Sequence, residues 1–312
     1  MKQVARQARS EGRVAGLVPT MGALHAGHLS LVERARRETS PVIVSVFVNP
    51  AQFAPGEDYA RYPRTLEADC EALAGMGVDF LFAPSAEEMY PPGFRTAVSV
   101  DGLGDRLEGR VRPGHFRGVA TVVLKLLEVA VPRFAYFGRK DAQQARVIRQ
   151  MARDLALDPE IVVCPIVREP DGLAMSSRNA YLSARERQAA TVLYRALDAA
   201  RKQIAAGERQ SSRLIAAARE VLASEPLAKP DYVEVVDEDS FESAHFLRGK
   251  CLMLLAVRIG ATRLIDNLYV DAQPPIETAP TKAQPTTEAQ PRTEVQPVAG
   301  MESRDAAAVC EL

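Results

Sequence analysis

The chain has 312 residues, of which 47% are hydrophobic and 25% are charged. These fractions lie near the globular average, which excludes a mainly disordered or collagen-like protein and provides enough apolar material for a core. The 39 basic and 40 acidic side chains give a formal net charge of −1, so the chain has no overall basic field with which to hold nucleic acid.

Residues 1–177 predict an alternation of strands and helices. The strand-like segments are 14–20, 41–49, 79–84, 133–138 and 160–167, and the helical segments are 27–39, 62–73, 119–130 and 140–157. The second strand, PVIVSVFVN, is continuously apolar, which is typical of a strand covered on both faces. Strands interleaved with helices of this length indicate an α/β fold, a Rossmann-like doubly wound parallel sheet.

The pattern changes in residues 178–271, which predict a smaller α+β C-terminal domain. Its predicted elements are helices over 183–206 and 211–224 and strands over 231–237, 251–260 and 263–270. The first of these helices opens with a capping box formed by Ser183 and Glu186. Residues 272–312 are rich in Pro, Gln and Thr and carry little apolar surface, so we predict a disordered tail.

The sequence also argues against a membrane or secreted protein. Its longest apolar stretch, residues 251–257, is far too short to span a bilayer, and the charged N-terminal segment lacks the apolar region of a signal peptide. The four cysteines include no C-x-x-C pair, which favours reduced thiols over a zinc site or a disulfide framework. We therefore expect a cytoplasmic protein.

The segment that joins the first strand to the following helix carries two histidines. This junction is where parallel α/β sheets bind phosphates, because a helix N-terminus attracts anions. His25 and His28 share a helical face, so both imidazoles can donate to phosphate oxygens. Two alternatives remain: Gly22 and Gly27 are ordinary turn residues, or the histidines are a half-formed metal pair, although no Cys or carboxylate lies nearby to complete it. The predicted site comprises Met21, Gly22, Ala23, Leu24, His25, Ala26, Gly27 and His28.

A second phosphate-binding pattern follows the last strand of the alternation. Met175 is followed by Ser176, Ser177 and Arg178. Two hydroxyls and a guanidinium in succession on a loop can act as a mobile phosphate clamp. A plain linker between domains is the alternative interpretation.

Gly138, Arg139, Lys140 and Asp141 occupy another strand-to-helix junction. Lys140 lies four residues before Gln144, on the same predicted helical face, and is placed to reach a triphosphate or a departing pyrophosphate. Asp141 could orient Lys140, contact the nucleotide or help hold Mg²⁺. Capping of the helix by Asp141 is the alternative.

The remaining candidates are polar side chains near predicted strand or helix ends. Asn49 and Gln52 follow the second strand and offer two amides to a polar substrate, with an ordinary turn as the alternative. Arg112 and His115 belong to a glycine-bracketed basic segment that could form a lid or contact an anion. A lone histidine is more often structural than catalytic, and we treat His245 as structural.

In chain order, PTMGALHAGH, VFVNPAQF, EGRVRPGHF, YFGRKDAQQ and GLAMSSRNAYLS closely resemble the pantoate–β-alanine ligase family over residues 13–270. HAGH resembles the HxGH signature of the nucleotidyltransferase superfamily, and MSSRN is similar to the KMSKS-type loop of class I aminoacyl-tRNA synthetases. The resemblance implies a ligase that joins pantoate to β-alanine through pantoyl adenylate, releasing AMP and pyrophosphate. It also implies ATP as substrate, Mg²⁺ held mainly by the ATP phosphates, and a homodimer.

The resemblance assigns roles to individual residues. His28 would be the proton-donating catalytic residue, and His25 and Lys140 would stabilise developing charge. The amides of Gln52 and Gln144, with Asn49, would bind pantoate or β-alanine. The implied nucleotide contacts are Met21, Gly22, Ala23, Leu24, His25, Ala26, Gly27, His28, Gly138, Arg139, Lys140, Asp141, Val167, Met175, Ser176, Ser177 and Arg178.

Residues 1–177 would then bind ATP and pantoate, and residues 178–271 would close over the adenylate as a lid. The family pattern has a further strand before its first helix, and Arg139 replaces an acidic residue. A nucleotidyltransferase that forms a phosphoester is the main alternative, and the amides at Gln52 and Gln144 argue against it. A tRNA-charging enzyme is disfavoured by the near-zero net charge, and an adaptor that binds through its tail is a third alternative.

Overall fold

The computed structural model describes residues 1–272. Its helices are α1 (Lys2–Ser10), α2 (Ala26–Glu38), α3 (Leu66–Gly75), α4 (Ala86–Met89), α5 (Glu108–Val111), α6 (His115–Ala130), α7 (Ala142–Asp154), α8 (Ala184–Ala189), α9 (Val192–Ala205) and α10 (Ser211–Ala223). Its strands are β1 (Gly16–Thr20), β2 (Val42–Val46), β3 (Phe80–Phe82), β4 (Phe134–Gly138), β5 (Glu160–Cys164), β6 (Ala228–Asp237), β7 (Gly249–Ile259) and β8 (Thr262–Ala272). Short 3₁₀ turns cover Pro50–Gln52, Asp58–Arg61, Arg139–Asp141 and Ser177–Tyr181.

Strands β1 to β5 form one parallel sheet in the order β3-β2-β1-β4-β5. The β-branched sequence VIVSV of β2 suits a central strand, and its first four residues are buried. The strand order reverses between β1 and β4, so a crevice opens there at the carboxyl ends of the strands. The sheet therefore places the segments after β1 and β4 on either side of one crevice.

Helices cover both faces of this sheet. On one face, α6 and α7 pack around a core that includes Leu17 and Ile43. On the other face, α2 packs with Val18, Val44 and Tyr136. This arrangement confirms the predicted Rossmann-like doubly wound sheet.

The C-terminal part is a smaller α+β unit. Strands β6, β7 and β8 form an antiparallel sheet, and α9 and α10 pack against its buried residues, which include Met253 and Leu255. Two ion pairs join this sheet to the residues before it. Arg168 binds Asp266 on β8 with both guanidinium nitrogens, and Arg263 binds Glu108 in the same way.

The structure corrects the prediction of one long helix over 183–206. The capping box of Ser183 and Glu186 is present, but α8 ends at Ala189 and α9 begins at Val192. The main-chain bonds at the break run from residue i to i−3, and the Thr191 hydroxyl donates to the Gln188 carbonyl. This side-chain bond competes with the helical pattern.

Three predicted helix starts differ by two or more residues, and one boundary also differs. The helix predicted over 119–130 begins at His115. The helix predicted over 62–73 begins at Leu66, because the proline at position 63 holds Tyr62 in an extended conformation. Lys140 lies in a 3₁₀ turn before α7, so it does not share an α-helical face with Gln144. Ala272 ends β8, and the predicted disordered tail beyond it lies outside the described residues.

Across residues 1–272, none of the helices combines the length and the apolar character that a bilayer crossing requires.

Candidate active site

A cavity of about 190 Å³ lies at the carboxyl ends of β1 and β4. The predicted site residues that line it are Met21, His25, Gly27, His28, Asn49, Gln52, Gly138, Lys140, Asp141, Gln144, Val167, Met175, Ser176, Ser177 and Arg178. A larger cavity of about 500 Å³ continues toward β8 and shares Lys140, Asp141, Gln144, Ser176 and Arg178. The structure thus brings together side chains from every predicted motif.

A buried carboxylate fixes the loop that precedes α2. Asp69 of α3 accepts hydrogen bonds from the main-chain nitrogens of Ala23 and Leu24, at 3.0 and 2.9 Å. Gly22 has φ +80°, and a Cβ there would lie 2.9 Å from both Asp69 and Val46. Gly22, Ala23, Leu24 and Ala26 do not line the 190 Å³ cavity; the first three shape the loop that carries the histidines.

Sequence reasoning missed Asp69. It lies four residues before Leu73, and both side chains face the buried side of α3. An acid on the apolar face of a predicted helix is a signal, because burying a carboxylate is unfavourable unless it is hydrogen-bonded.

His25 and His28 cap α2 reciprocally. Nδ1 of His25 accepts from the Gly27 nitrogen at 3.1 Å, and Nδ1 of His28 accepts from the His25 nitrogen at 3.4 Å. Because each Nδ1 accepts a main-chain proton, each neutral ring carries its own proton on Nε2. The ring centroids are 4.1 Å apart. The cap therefore fixes both the orientation and the tautomer of the pair.

The electrostatic surroundings keep both rings neutral near pH 7. Burial, followed by the charge of Lys140, lowers the pKa of His25. Burial and the neighbouring His25 lower the pKa of His28 to about 3. A neutral ring donates a hydrogen bond through Nε2–H, and it carries no imidazolium proton to transfer.

Residues 175–178, the serine loop, contact the loop that precedes α2. The Ser177 hydroxyl donates to the Ala23 carbonyl at 3.4 Å, and Ser176 accepts from the Arg178 nitrogen as a cap. The Arg178 guanidinium donates two hydrogen bonds to Asp58, at 2.9 and 3.0 Å. Asp58 is another residue that sequence reasoning missed, because its partner lies 120 residues away.

The Arg139–Asp141 turn is held by β8. Asn267 donates from Nδ2 to the carbonyls of Arg139 and Lys140, at 2.9 and 3.0 Å. The Lys140 ammonium lies 3.7 Å from the Asp141 carboxylate. Asp141 occupies the N-cap position of α7 but makes no side-chain cap hydrogen bond, so the capping alternative is not seen. The Arg139 guanidinium lies over the Tyr269 ring at 4.2 Å, away from the cavity.

Arg112 and His115 support the amide turn rather than form a lid. His115 donates from Nδ1 to the Gln52 carbonyl at 2.8 Å, and its Nε2 accepts from Arg112. Arg112 also donates to the Gln52 carbonyl at 3.3 Å and forms an ion pair with Glu57. The side chains of Arg112 and His115, which belong to one segment, therefore fix the Gln52 carbonyl.

Within residues 1–272, no group of three or more His, Cys, Asp or Glu side chains is arranged to hold a metal ion. The carboxylate of Asp141 lines both cavities. Mg²⁺ retains several waters and needs one or two carboxylates when phosphates supply its other ligands. The donor set thus fits Mg²⁺ bound together with a phosphate ligand, rather than an all-protein site.

Comparison with known proteins gives a consistent assignment. The family model described as pantoate-beta-alanine ligase matches residues 1–269. Pantothenate synthetase from Roseiflexus castenholzii is 58% identical over 268 residues, covering 86% of this chain and 96% of that protein. Pantothenate synthetase from Caldicellulosiruptor saccharolyticus is 54% identical over 271 residues, covering 87% and 96% respectively.

Solved structures agree with these sequence matches. The crystal structure of pantothenate synthetase from Thermus thermophilus superposes with a TM-score of 0.81 at 50% identity, covering 85% of this chain and 96% of that one. A pantoate-beta-alanine ligase from Francisella tularensis, complexed with beta-gamma ATP and beta-alanine, superposes with a TM-score of 0.69 at 37% identity, covering 86% and 94%. This chain belongs to the pantoate–β-alanine ligase family.

Proposed function

We propose that this protein condenses pantoate with β-alanine in two steps that consume ATP and release pyrophosphate and AMP. The proposal rests on one observation: side chains of the kinds that bind phosphate line the same cavity as two glutamine amides. His28, Lys140 and Ser177 come from separate segments, and Gln52 and Gln144 line the same cavity. The membership of the family supports the same activity.

In the first step, a pantoate carboxylate oxygen attacks the α-phosphorus of ATP. The new O–P bond forms as the bond to the β-phosphate oxygen breaks, and pyrophosphate leaves. The carboxylate is already ionised at pH 7, because such acids titrate near ~4, so the step needs no base. It needs alignment and charge neutralisation, which the Nε2–H groups of His25 and His28 and the ammonium of Lys140 would supply.

Mg²⁺, when bound, would neutralise the phosphate charge, and Asp141 would offer it a carboxylate oxygen. Gly138 would give the nucleotide room, since a Cβ at this position would meet nothing within 4 Å. The carbonyl of Val167 already accepts from the Met175 nitrogen at 3.0 Å, which ties the edge of the cavity to the serine loop.

In the second step, the β-alanine amine attacks the acyl carbon of pantoyl adenylate. The new C–N bond forms, the bond to the phosphate oxygen breaks, AMP leaves, and the amine gives up a proton. The 500 Å³ cavity that shares Lys140 and Gln144 would admit β-alanine. We propose that residues 178–271 shield the adenylate from water, as a lid over residues 1–177. A cytoplasmic location and a homodimer stay predictions from the sequence and the family resemblance.

The test is incubation with ATP, Mg²⁺, pantoate and β-alanine while AMP and pyrophosphate are followed, with each substrate omitted in turn. We expect AMP to accumulate only when all of them are present. The test variant is Lys140→Ala, which should be nearly inactive. Its matched control is His245→Ala, at an exposed position, which should behave like the wild type. Rapid AMP release without β-alanine, or a stable phosphoester product, would contradict the proposal.

A further inference from the structure

Asn49 is buried, with 1% of its surface exposed, and the protein occupies all four of its hydrogen-bonding positions. Its Nδ2 donates to the Gly118 carbonyl at 3.2 Å and to Gln52 Oε1 at 3.1 Å. Its Oδ1 accepts from the Ala51 nitrogen at 3.2 Å and from the Tyr90 hydroxyl at 2.7 Å. Asn49 therefore has no hydrogen-bonding position left for a substrate.

The two main-chain partners of Asn49 determine the orientation of its amide, and through it the orientation of the Gln52 amide. A carbonyl can only accept and an N–H can only donate, so Gly118 and Ala51 identify which end of the Asn49 amide is nitrogen and which is oxygen. The Asn49 nitrogen must then face an oxygen on Gln52. This leaves the NH₂ group of Gln52 on the side of Met21 Sδ, 2.9 Å away, where both residues line the 190 Å³ cavity.

The main-chain partners are held rigidly. Helix α6 approaches the Pro50–Gln52 turn so closely that a Cβ on Gly118 would lie 2.1 Å from the Ala51 carbonyl oxygen. This contact requires glycine and keeps the Gly118 carbonyl beside Asn49. The Gln52 carbonyl is fixed separately by His115.

Tyr90 completes the cluster from outside. Its ring packs against Phe47 and Phe94, with centroids 6.2 and 5.2 Å away, and the Lys125 ammonium lies 5.3 Å from its centroid. Burial raises the pKa of Tyr90 to about 12, so its hydroxyl keeps its proton and donates to Asn49. The ring contacts would survive replacement of Tyr90 by Phe, whereas the hydrogen bond would not.

We propose that Tyr90 and Asn49 are positioning residues that hold Gln52 with its NH₂ group toward the cavity, which makes this position selective for an oxygen acceptor of pantoate. The inference rests on the proposed function and refines the expectation that Asn49 binds substrate directly. In this arrangement Asn49 acts through Gln52, and Tyr90 acts through Asn49.

The experiment compares steady-state KM values for pantoate, ATP and β-alanine in Tyr90→Phe, Asn49→Asp and the wild type. Tyr90→Phe removes one hydrogen bond to a buried acceptor, so KM for pantoate should rise about five-fold. Asn49→Asp removes the donor that holds Gln52 Oε1, so the Gln52 amide should turn its oxygen toward pantoate and raise KM roughly 50-fold. KM for ATP should change less than about two-fold in both variants.

Tyr136→Phe is the matched control, because the Tyr136 hydroxyl donates to Glu38, away from the cavity. It should leave all three KM values unchanged. Melting temperatures check that each variant folds; if Asn49→Asp does not fold, Tyr90→Phe decides alone. A wild type that does not use pantoate would overturn the proposed function. A wild type that does, with KM for ATP and pantoate raised equally or not at all in Tyr90→Phe, would overturn this inference alone.

Discussion

The Ser177 hydroxyl lies 3.4 Å from the Ala23 carbonyl, although 154 residues separate them in the chain. This contact joins the serine loop to the loop that carries the histidine pair. Both motifs therefore border one cavity, as the predicted phosphate site requires. The parallel sheet makes this possible, because its carboxyl ends meet at one edge.

Removing a charge-stabilising side chain from this cavity should slow adenylate formation. We expect His28→Ala and Lys140→Ala each to lower the rate constant for pyrophosphate release about 100-fold or more, because they act on developing charge. Single-turnover pyrophosphate release is the measurement. His245→Ala serves as the control, since that side chain is exposed and outside the cavity. Near-normal release by either active-site variant would contradict the assigned roles.

The pair formed by Arg178 and Asp58 should contribute to stability as well as to order in the serine loop. Both side chains are largely shielded, with 28% and 15% exposed. A double-mutant cycle of Asp58→Ala and Arg178→Ala should give a coupling free energy of about 1–2 kcal/mol, because the pair is bidentate but not fully buried. Urea denaturation measures it. A coupling near zero would show that the contact does not persist in solution.

The convergence of the predicted motifs on one cavity was predictable, because each motif is local in the sequence. The roles of the residues in these motifs stay predictions. The histidine pair and Lys140 follow the ends of predicted strands, and parallel strands bring such ends together. The serine loop comes later, after the last predicted strand of the alternation. The doubly wound sheet followed from the alternation of strand and helix patterns in the same way.

The partners of the supporting residues were not predictable, because each partner lies far away in the sequence. Asp69 binds nitrogens 45 and 46 residues away, and Asn267 binds carbonyls 127 and 128 residues away. The role of Asn49 depends on the Gly118 carbonyl, 69 residues further along. No local pattern records such pairings, and they become visible only when the chain is folded.

Stability should fall as the pH is lowered from 7 toward 4. Burial lowers the pKa of His28 to about 3 and that of His115 to about 4, from 6.5. The unfolded chain takes up these protons near pH 6.5 and the folded chain does not, so the stabilisation is present above pH 6.5 and is lost below it. Each histidine contributes about 1.4 kcal/mol per pH unit in that window.

The measurement is the free energy of unfolding at pH 7 and at pH 5. His115→Gln retains a donor for the Gln52 carbonyl but does not titrate. Its loss of unfolding free energy between these two pH values should therefore be smaller than that of the wild type by the contribution of one histidine. An identical slope in the variant would mean that His115 is already protonated in the folded protein at pH 5.

The last prediction concerns the carboxylate behind the histidine loop. Asp69→Asn keeps the size of the side chain but replaces one acceptor with an NH₂ group, which would face a main-chain N–H of Ala23 or Leu24. We expect kcat/KM to fall about ten-fold and stability by about 1–3 kcal/mol, because a buried donor loses its partner and the loop shifts. Asp79→Ala is the matched control: Asp79 accepts from the Val42 nitrogen at 2.8 Å, outside the cavity, and alanine removes this acceptor. It should lose stability but keep its kcat/KM, and equal losses of activity in both variants would show that Asp69 acts through general stability rather than by shaping the loop.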